Sequence, residues 1–285
     1  MKFLHIFAST VLLVLPLAAQ SAANTGVTVT PASTRQMILP SHGNMLLGVF
    51  YLAAGAEPHP TAIILHGFPG FEQNLDLAQT LRAHGWNVLA MHYRGSWGVK
   101  GDFSFAHAAE DADTEVRYVL DPANAHKYRI DTHRVIVIGH SMGGYMAASA
   151  AVLISAWNIG AEYEFRRHTG PEAATIEGEA KSLEEDSNLM PLAGTSGEAL
   201  AREIYKNQQS LNFIQFAPAI APRPVFVITA SDGLAPADHA LVEALSKAGD
   251  THVSEQHWDT DHSYSDRRME LANSILEWTQ SNLPH

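Results

Sequence analysis

The sequence predicts an α/β domain: a mostly parallel central sheet with helices on both faces and a small cap insertion. Three observations predict it. Short apolar runs at residues 61–65, 86–91, 135–138 and 224–229 have the length of strands buried on both faces. Stretches with apolar residues at helical spacing separate most of them. The repeated strand–helix alternation implies right-handed crossovers and a sheet covered on each side.

The elements follow in order. Residues 26–34 are small, polar and strand-like, and read as an edge. Residues 35–40 and 45–53, separated by Ser41-His42-Gly43-Asn44, read as an antiparallel hairpin. The run 61–65 ends in His66-Gly67-Phe68-Pro69-Gly70. Leu75, Leu77, Ala78 and Leu81 fall at helical spacing, with Gly85 as the stop. The strand 86–91 closes on His92-Tyr93-Arg94-Gly95-Ser96-Trp97-Gly98. Residues 106–120 read as a helix with acids in its first turns, where the helix dipole favours them. Val135-Ile136-Val137-Ile138 then form a strand that breaks at Gly139, and small residues over 143–151 read as a helix.

Over residues 159–216 the pattern changes to acid-rich sequence with glycine and proline breaks. One amphipathic helix is expected there, starting near Thr195 with Glu198 as capping-box partner and Leu200, Ile204 and Leu211 on one face. The region reads as a cap over the strand ends, or as a solvated acidic loop. Alternation returns with the strand 224–229, which leads into Ala230-Ser231-Asp232-Gly233. Pro236 opens a helix that Gly249 ends. Residues 251–258 form the last strand, Asp259-Thr260-Asp261-His262-Ser263 follow, and a final helix from about Ser265 buries Leu271, Ile275 and Trp278.

Composition narrows the class. The 285 residues carry a formal charge of −12 and no cysteine, so no disulfide is expected. The acidic balance argues against nucleic acid and anionic membrane surfaces as partners. Residues 1–23 read as a signal peptide: Lys2, an apolar stretch over 3–17 interrupted by His5 and Pro16, then Ser21-Ala22-Ala23 as a small-x-small cleavage site. Residues 24–285 would then be one domain, with 159–216 as the insertion. Export without disulfides fits a periplasmic or secreted protein, and no further long apolar run predicts a membrane span. Nothing in the sequence sets the oligomeric state.

The chemistry starts at Gly139-His140-Ser141-Met142-Gly143-Gly144. Gly-x-Ser-x-Gly between strand and helix is the pattern of a nucleophile elbow, a strained turn that lifts the serine hydroxyl above the sheet edge. Gly139 and Gly143 fit where a Cβ would clash. A serine nucleophile needs a base, and the base an orienting acid, in the chain order serine, acid, histidine. Asp232 and His262 follow successive strands in that order, so all three converge on one rim despite their separation. Rival acids are Asp238, inside a helix, and Asp259 and Asp261, beside the histidine. His257 lies within the strand and points elsewhere. Two backbone N–H donors for an oxyanion are expected at Met142 and Phe68.

Taken together, His66-Gly67-Phe68-Pro69-Gly70, Gly139-His140-Ser141-Met142-Gly143-Gly144, Asp232 with Pro236, and Asp261-His262-Ser263 resemble the α/β-hydrolase superfamily. Tyr93-Arg94-Gly95-Ser96-Trp97-Gly98 is similar to the Arg-Gly-Ser-x-Gly segment of its prolyl-oligopeptidase-like branch, which holds dipeptidyl and acylaminoacyl peptidases. The resemblance spans roughly residues 45–157 and 224–285 and implies a Ser-His-Asp hydrolase of esters or peptide-like bonds, with no cofactor. Small carboxylic esters are the first substrate class expected, short peptides the second; the large N-terminal propeller often found in that branch has no counterpart here. One departure stands out: small residues over 147–151 run straight into Val152-Leu153-Ile154 without a polar loop. Either the helix is long and the strand missing, or a connecting segment is lost, and a non-catalytic binding protein is the alternative function that follows. A metal site at His257-Trp258-Asp259-Thr260-Asp261-His262 is not expected, because alternation sets His262 opposite the other three.

Overall fold

The computed structural model describes residues 30–147, 152–162, 164, 170, 174–185, 188–221 and 223–283. The expected signal peptide over 1–23 lies outside the described residues, as do 148–151 of the elbow helix.

The chain opens on a hairpin, β1 (Ser33–Ser41) and β2 (Asn44–Leu52). Its two-residue turn puts His42 at φ 46° and Gly43 at φ 82°, the primed-turn geometry that matches strand twist. Of the edge strand expected over 26–34, residues 26–29 lie outside the described residues, 30–32 are not in a strand, and Ser33 and Thr34 open β1, the observed edge. There follow β3 (His59–Leu65), α1 (Leu75–Ala83), β4 (Asn87–His92), α2 (Phe105–Leu120), α3 (Pro122–Tyr128) and β5 (Ile130–His140). Next come α4 (Met142–Ala147), β6 (Val152–Ile154), α5 (Ile176–Glu184), α6 (Gly197–Lys206) and α7 (Ala217–Ile220). The chain closes with β7 (Val225–Ala230), α8 (Ala235–Lys247), β8 (Val253–Trp258) and α9 (Arg268–Asn282).

The eight strands lie in the order β1-β2-β4-β3-β5-β6-β7-β8. β1, β2 and β4 pair antiparallel, and all later neighbours pair parallel. From β3 the chain steps outward to β4 and then returns to the other side of β3 as β5. That reversal creates a crevice above the carboxyl ends of β3 and β5, where ligands settle in open α/β sheets.

Alternation along the strands divides the core. Ile63, Leu65, Leu89, Val137, Leu153 and Val227 face α2, α6 and α8. Ala62, Ile64, Val88, Ile138, Ile154 and Ile228 face α1 and α9, with Leu81, Ile275 and Trp278. Both faces are apolar, so the runs read as continuous rather than alternating.

Four local expectations are corrected. The first turn of α2 holds no acid, and Ser104 caps it by accepting the His107 N–H; Glu110 and Asp111 serve Arg94 instead. Ser196, not Thr195, caps α6, and Glu198 pairs with Arg202 rather than closing a capping box. Leu211 is buried but lies beyond α6, and a second helix, α5, packs beside it. Finally, the strand after the elbow is present. β6 is three residues long and pairs in parallel register with both β5 and β7. The stretch from His140 to Val152 supplies the dozen or so residues that a parallel crossover needs.

Candidate active site

Ser141 sits where β5 ends and α4 begins, at φ 56°. Its backbone is fully engaged. The Ser141 N–H donates to the Ile154 carbonyl, and its own carbonyl accepts from Gly144 and Trp157. A Cβ on Gly139 would lie 2.1 Å from the Gly143 carbonyl oxygen, and one on Gly143 would lie 2.0 Å from the Leu65 carbonyl oxygen. Side chains there would push the turn apart, so the two glycines permit the left-handed serine.

His262 and Asp232 are brought together. His262 Nδ1 lies 2.8 Å from Asp232 Oδ2, an approach that makes the ring nitrogen the donor and leaves Nε2 with a lone pair. The Asp232 carboxyl is only 5% exposed, against 40% for the imidazole. Burial alone would raise the Asp232 pKa, but bonds from His262, the Leu234 N–H and Ser155 outweigh it and hold the carboxyl below its usual range. Ser141, Asp232, His262 and Phe68 line one cavity of about 320 Å³, together with Trp157, Leu183 and Leu234. Among the described residues Ser141 Oγ makes no hydrogen bond to the imidazole; such bonds are often long before substrate arrives.

The rival acids stand elsewhere. Asp238 is fully buried in α8, where burial pushes its pKa well above the carboxylate range, and its Oδ2 accepts the Ala156 N–H. Asp261 is exposed and caps the turn by accepting the Ser265 N–H. Asp259 is exposed, and His257 is bound to Thr229 Oγ1 at 2.8 Å. Among the described residues no group of three or more His, Asp or Glu side chains could hold a metal ion.

The loop that carries Phe68 is pinned by residues the sequence reading did not assign. Tyr93 Oη donates to the His66 carbonyl at 2.9 Å, and Trp97 Nε1 donates to the Pro69 carbonyl at 2.7 Å. His66 Nδ1 donates to the Gly67 carbonyl at 2.8 Å, and burial lowers the His66 pKa from 6.5 to about 3. Arg94 ties the Tyr93–Trp97 segment to α2 through Asp111 and Glu110. The signal was available: Tyr93, Arg94 and Trp97 lie in the loop after β4, beside the loop after β3 that holds His66. Asp232 has a comparable bracket: the Ser155 hydroxyl proton goes to its carboxyl, so Tyr264 Oη is the donor in the 2.9 Å contact with Ser155 Oγ. A separate apolar crevice of about 240 Å³, lined in part by Leu65, Ala112, Tyr145 and Phe216, contains none of the candidate residues.

The family model described as the alpha/beta hydrolase family matches residues 62–273. The comparison with curated proteins gives no match. Among solved structures, a carboxyl esterase from Bacillus coagulans is similar at 15% identity and a TM-score of 0.64, over 88% of this chain and 99% of that one. Est1E from Butyrivibrio proteoclasticus, solved with ferulic acid bound, is 20% identical at a TM-score of 0.63, over 86% and 98%. The acylaminoacyl peptidase of Pyrococcus horikoshii is 17% identical at a TM-score of 0.63, over 89% of this chain but only 42% of its own.

Proposed function

We propose that this chain, which belongs to the alpha/beta hydrolase family, is a serine hydrolase that cleaves small carboxylic esters through an acyl-Ser141 intermediate. The observation that carries the reading is the 2.8 Å bond from His262 to Asp232, on the rim of the cavity that Ser141 also lines. Because Nδ1–H is committed to Asp232, Nε2 is the nitrogen left to accept the Ser141 proton.

In the first half-reaction Ser141 Oγ attacks the ester carbonyl as its proton passes to His262 Nε2. The carbonyl electron pair moves onto oxygen, and the Phe68 and Met142 N–H groups receive that charge. Collapse of the intermediate breaks the bond to the alkoxy group, which leaves as an alcohol with the proton from His262. Water then attacks the acyl group, gives its proton to the same nitrogen, and frees the acid and Ser141. Asp232 stabilises the imidazolium in both halves.

Phe68, Trp157, Leu183 and Leu234 give the cavity an apolar side that fits a small acyl group, beside polar groups from Glu162, Glu179 and Asn188. α5 supplies Leu183 and Glu179 to that lining, and on this reading the 159–216 region acts as a cap. Export through cleavage after residue 23 belongs to the same reading, and N-terminal sequencing of the mature protein would test it. A panel of p-nitrophenyl acyl esters and aminoacyl-naphthylamides tests the substrate class. Turnover of short-chain esters well above that of the amides is expected. The reverse order would replace the esterase reading with a peptidase one. No turnover of either would favour a binding protein.

A further inference from the structure

His140 precedes the nucleophile, closes β5 and is 3% exposed. It meets His262 twice. Its Nε2 lies 2.8 Å from the His262 carbonyl oxygen, and the two rings stand with centroids 4.6 Å apart and planes inclined by 35°. A carbonyl can only accept, so the His140 proton is on Nε2 and its Nδ1 holds a lone pair. That Nδ1 is buried without a hydrogen-bond partner among the described residues. A buried acceptor left unsatisfied is unfavourable. Packing alone would therefore be served better by a phenylalanine, and the bond to His262 is what the imidazole adds.

We infer that His140 is a positioning residue for the His262 imidazole, resting on the reading of His262 as the base. One strand end thus carries the nucleophile and, in the preceding residue, the support that sets the height of its base. The groups facing His140 are His262 from the loop after β8, Arg268 from α9 and Asp232 from the loop after β7. Burial above all, with the neighbouring His262, lowers the His140 pKa from 6.5 to about 3. The ring therefore stays neutral, and a His262 imidazolium forms beside it without like-charge repulsion.

The test uses the full chain with His140→Phe, which keeps the ring and deletes the donor, and His140→Gln, which restores an amide donor and deletes the ring. Three quantities are read: kcat and KM on p-nitrophenyl acetate, the acid limb of kcat/KM, and the His262 imidazole titration by NMR. His140→Phe, folded by circular dichroism, is expected to lower kcat about tenfold or more with KM within about twofold. It should also move the His262 midpoint and the acid limb toward lower pH by about half a unit, as the imidazolium loses support. His140→Gln should recover part of kcat. A folded His140→Phe with an unmoved His262 midpoint overturns the inference, whatever its kcat. Should His140→Phe not fold, His140→Leu, which also deletes the donor, is read in its place, and an unmoved midpoint there does the same. The titration needs no turnover, so failure of the hydrolase reading, seen as an unreactive wild-type Ser141, is scored separately.

Discussion

Two loops face each other across Ser141, pinned by the same device but anchored in different places. In the 66–70 loop the donors are Tyr93 and Trp97, both from the segment after β4, which Arg94 fixes to α2. In the 259–267 loop the donors are His140, next to the nucleophile, and Arg268, which binds the Ser263 carbonyl while pairing with Asp76. In both cases a side-chain N–H or O–H holds a backbone carbonyl, which fixes a loop without any regular structure of its own. The difference is the frame of reference. The donor loop is set against a neighbouring strand, whereas the base loop is set against the strand that carries Ser141. Displacing the first should weaken charge stabilisation alone, and displacing the second should disturb proton transfer.

Ser141→Ala removes the point where the two loops meet, and kcat for ester turnover should fall by roughly 10⁴-fold or more with circular dichroism unchanged. Asp232→Asn breaks the base side alone. It keeps the size of the side chain but no longer fixes the His262 tautomer, so kcat should fall by about 10²- to 10⁴-fold with a smaller change in KM. Trp97→Phe breaks the donor side alone, keeping a ring against Phe71 and His92 while deleting the bond to Pro69. Because the Phe68 N–H is displaced rather than lost, about a tenfold fall in kcat is expected, below the ~10²–10³ that follows removal of a donor. A Trp97→Phe effect equal to that of Asp232→Asn would erase the distinction between the loops.

The smallest effect is on stability and concerns His140. Its pKa in the fold, about 3, lies below the 6.5 of an exposed imidazole, so the unfolded chain takes up a proton that the folded chain refuses. The contribution is fully present above pH 6.5 and is lost as pH falls towards 3. Glu115 and Asp238, buried with raised pKa values, push the other way as pH rises above the ordinary carboxylate range. The wild-type curve therefore mixes opposing slopes, and the difference from His140→Phe isolates one histidine. In urea titrations below about pH 6, the stability of the wild type minus that of His140→Phe should fall by about 1.4 kcal/mol per pH unit.

Much of the fold and of the candidate site was legible because each rested on a local rule. Val135-Ile136-Val137-Ile138 before Gly139 points to β5, and the order acid then histidine on the loops after two successive strands points to Asp232 and His262. What stayed hidden depended on contacts distant in sequence. Tyr93 and Trp97 act on the carbonyls of residues 66 and 69, and Ser155 reaches Tyr264 across 109 positions. No periodicity encodes such pairs. The junction after Ala147 misled for another reason. A run of small and apolar residues suits helix and strand alike, and only the pairing of β6 with β5 and β7 marks residues 152–154 as a strand. The N-cap of α6 shows the limit of short motifs: Thr195 and Ser196 are both able to cap, and backbone geometry selects the second.

The most direct test of the central claim is fluorophosphonate labelling of the folded protein followed by peptide mass mapping. One covalent adduct on Ser141 is expected in the wild type, none in Ser141→Ala, and an adduct formed at least about a hundredfold more slowly in His262→Ala. A folded wild-type chain left unmodified, or modified elsewhere with Ser141 bare, would contradict it.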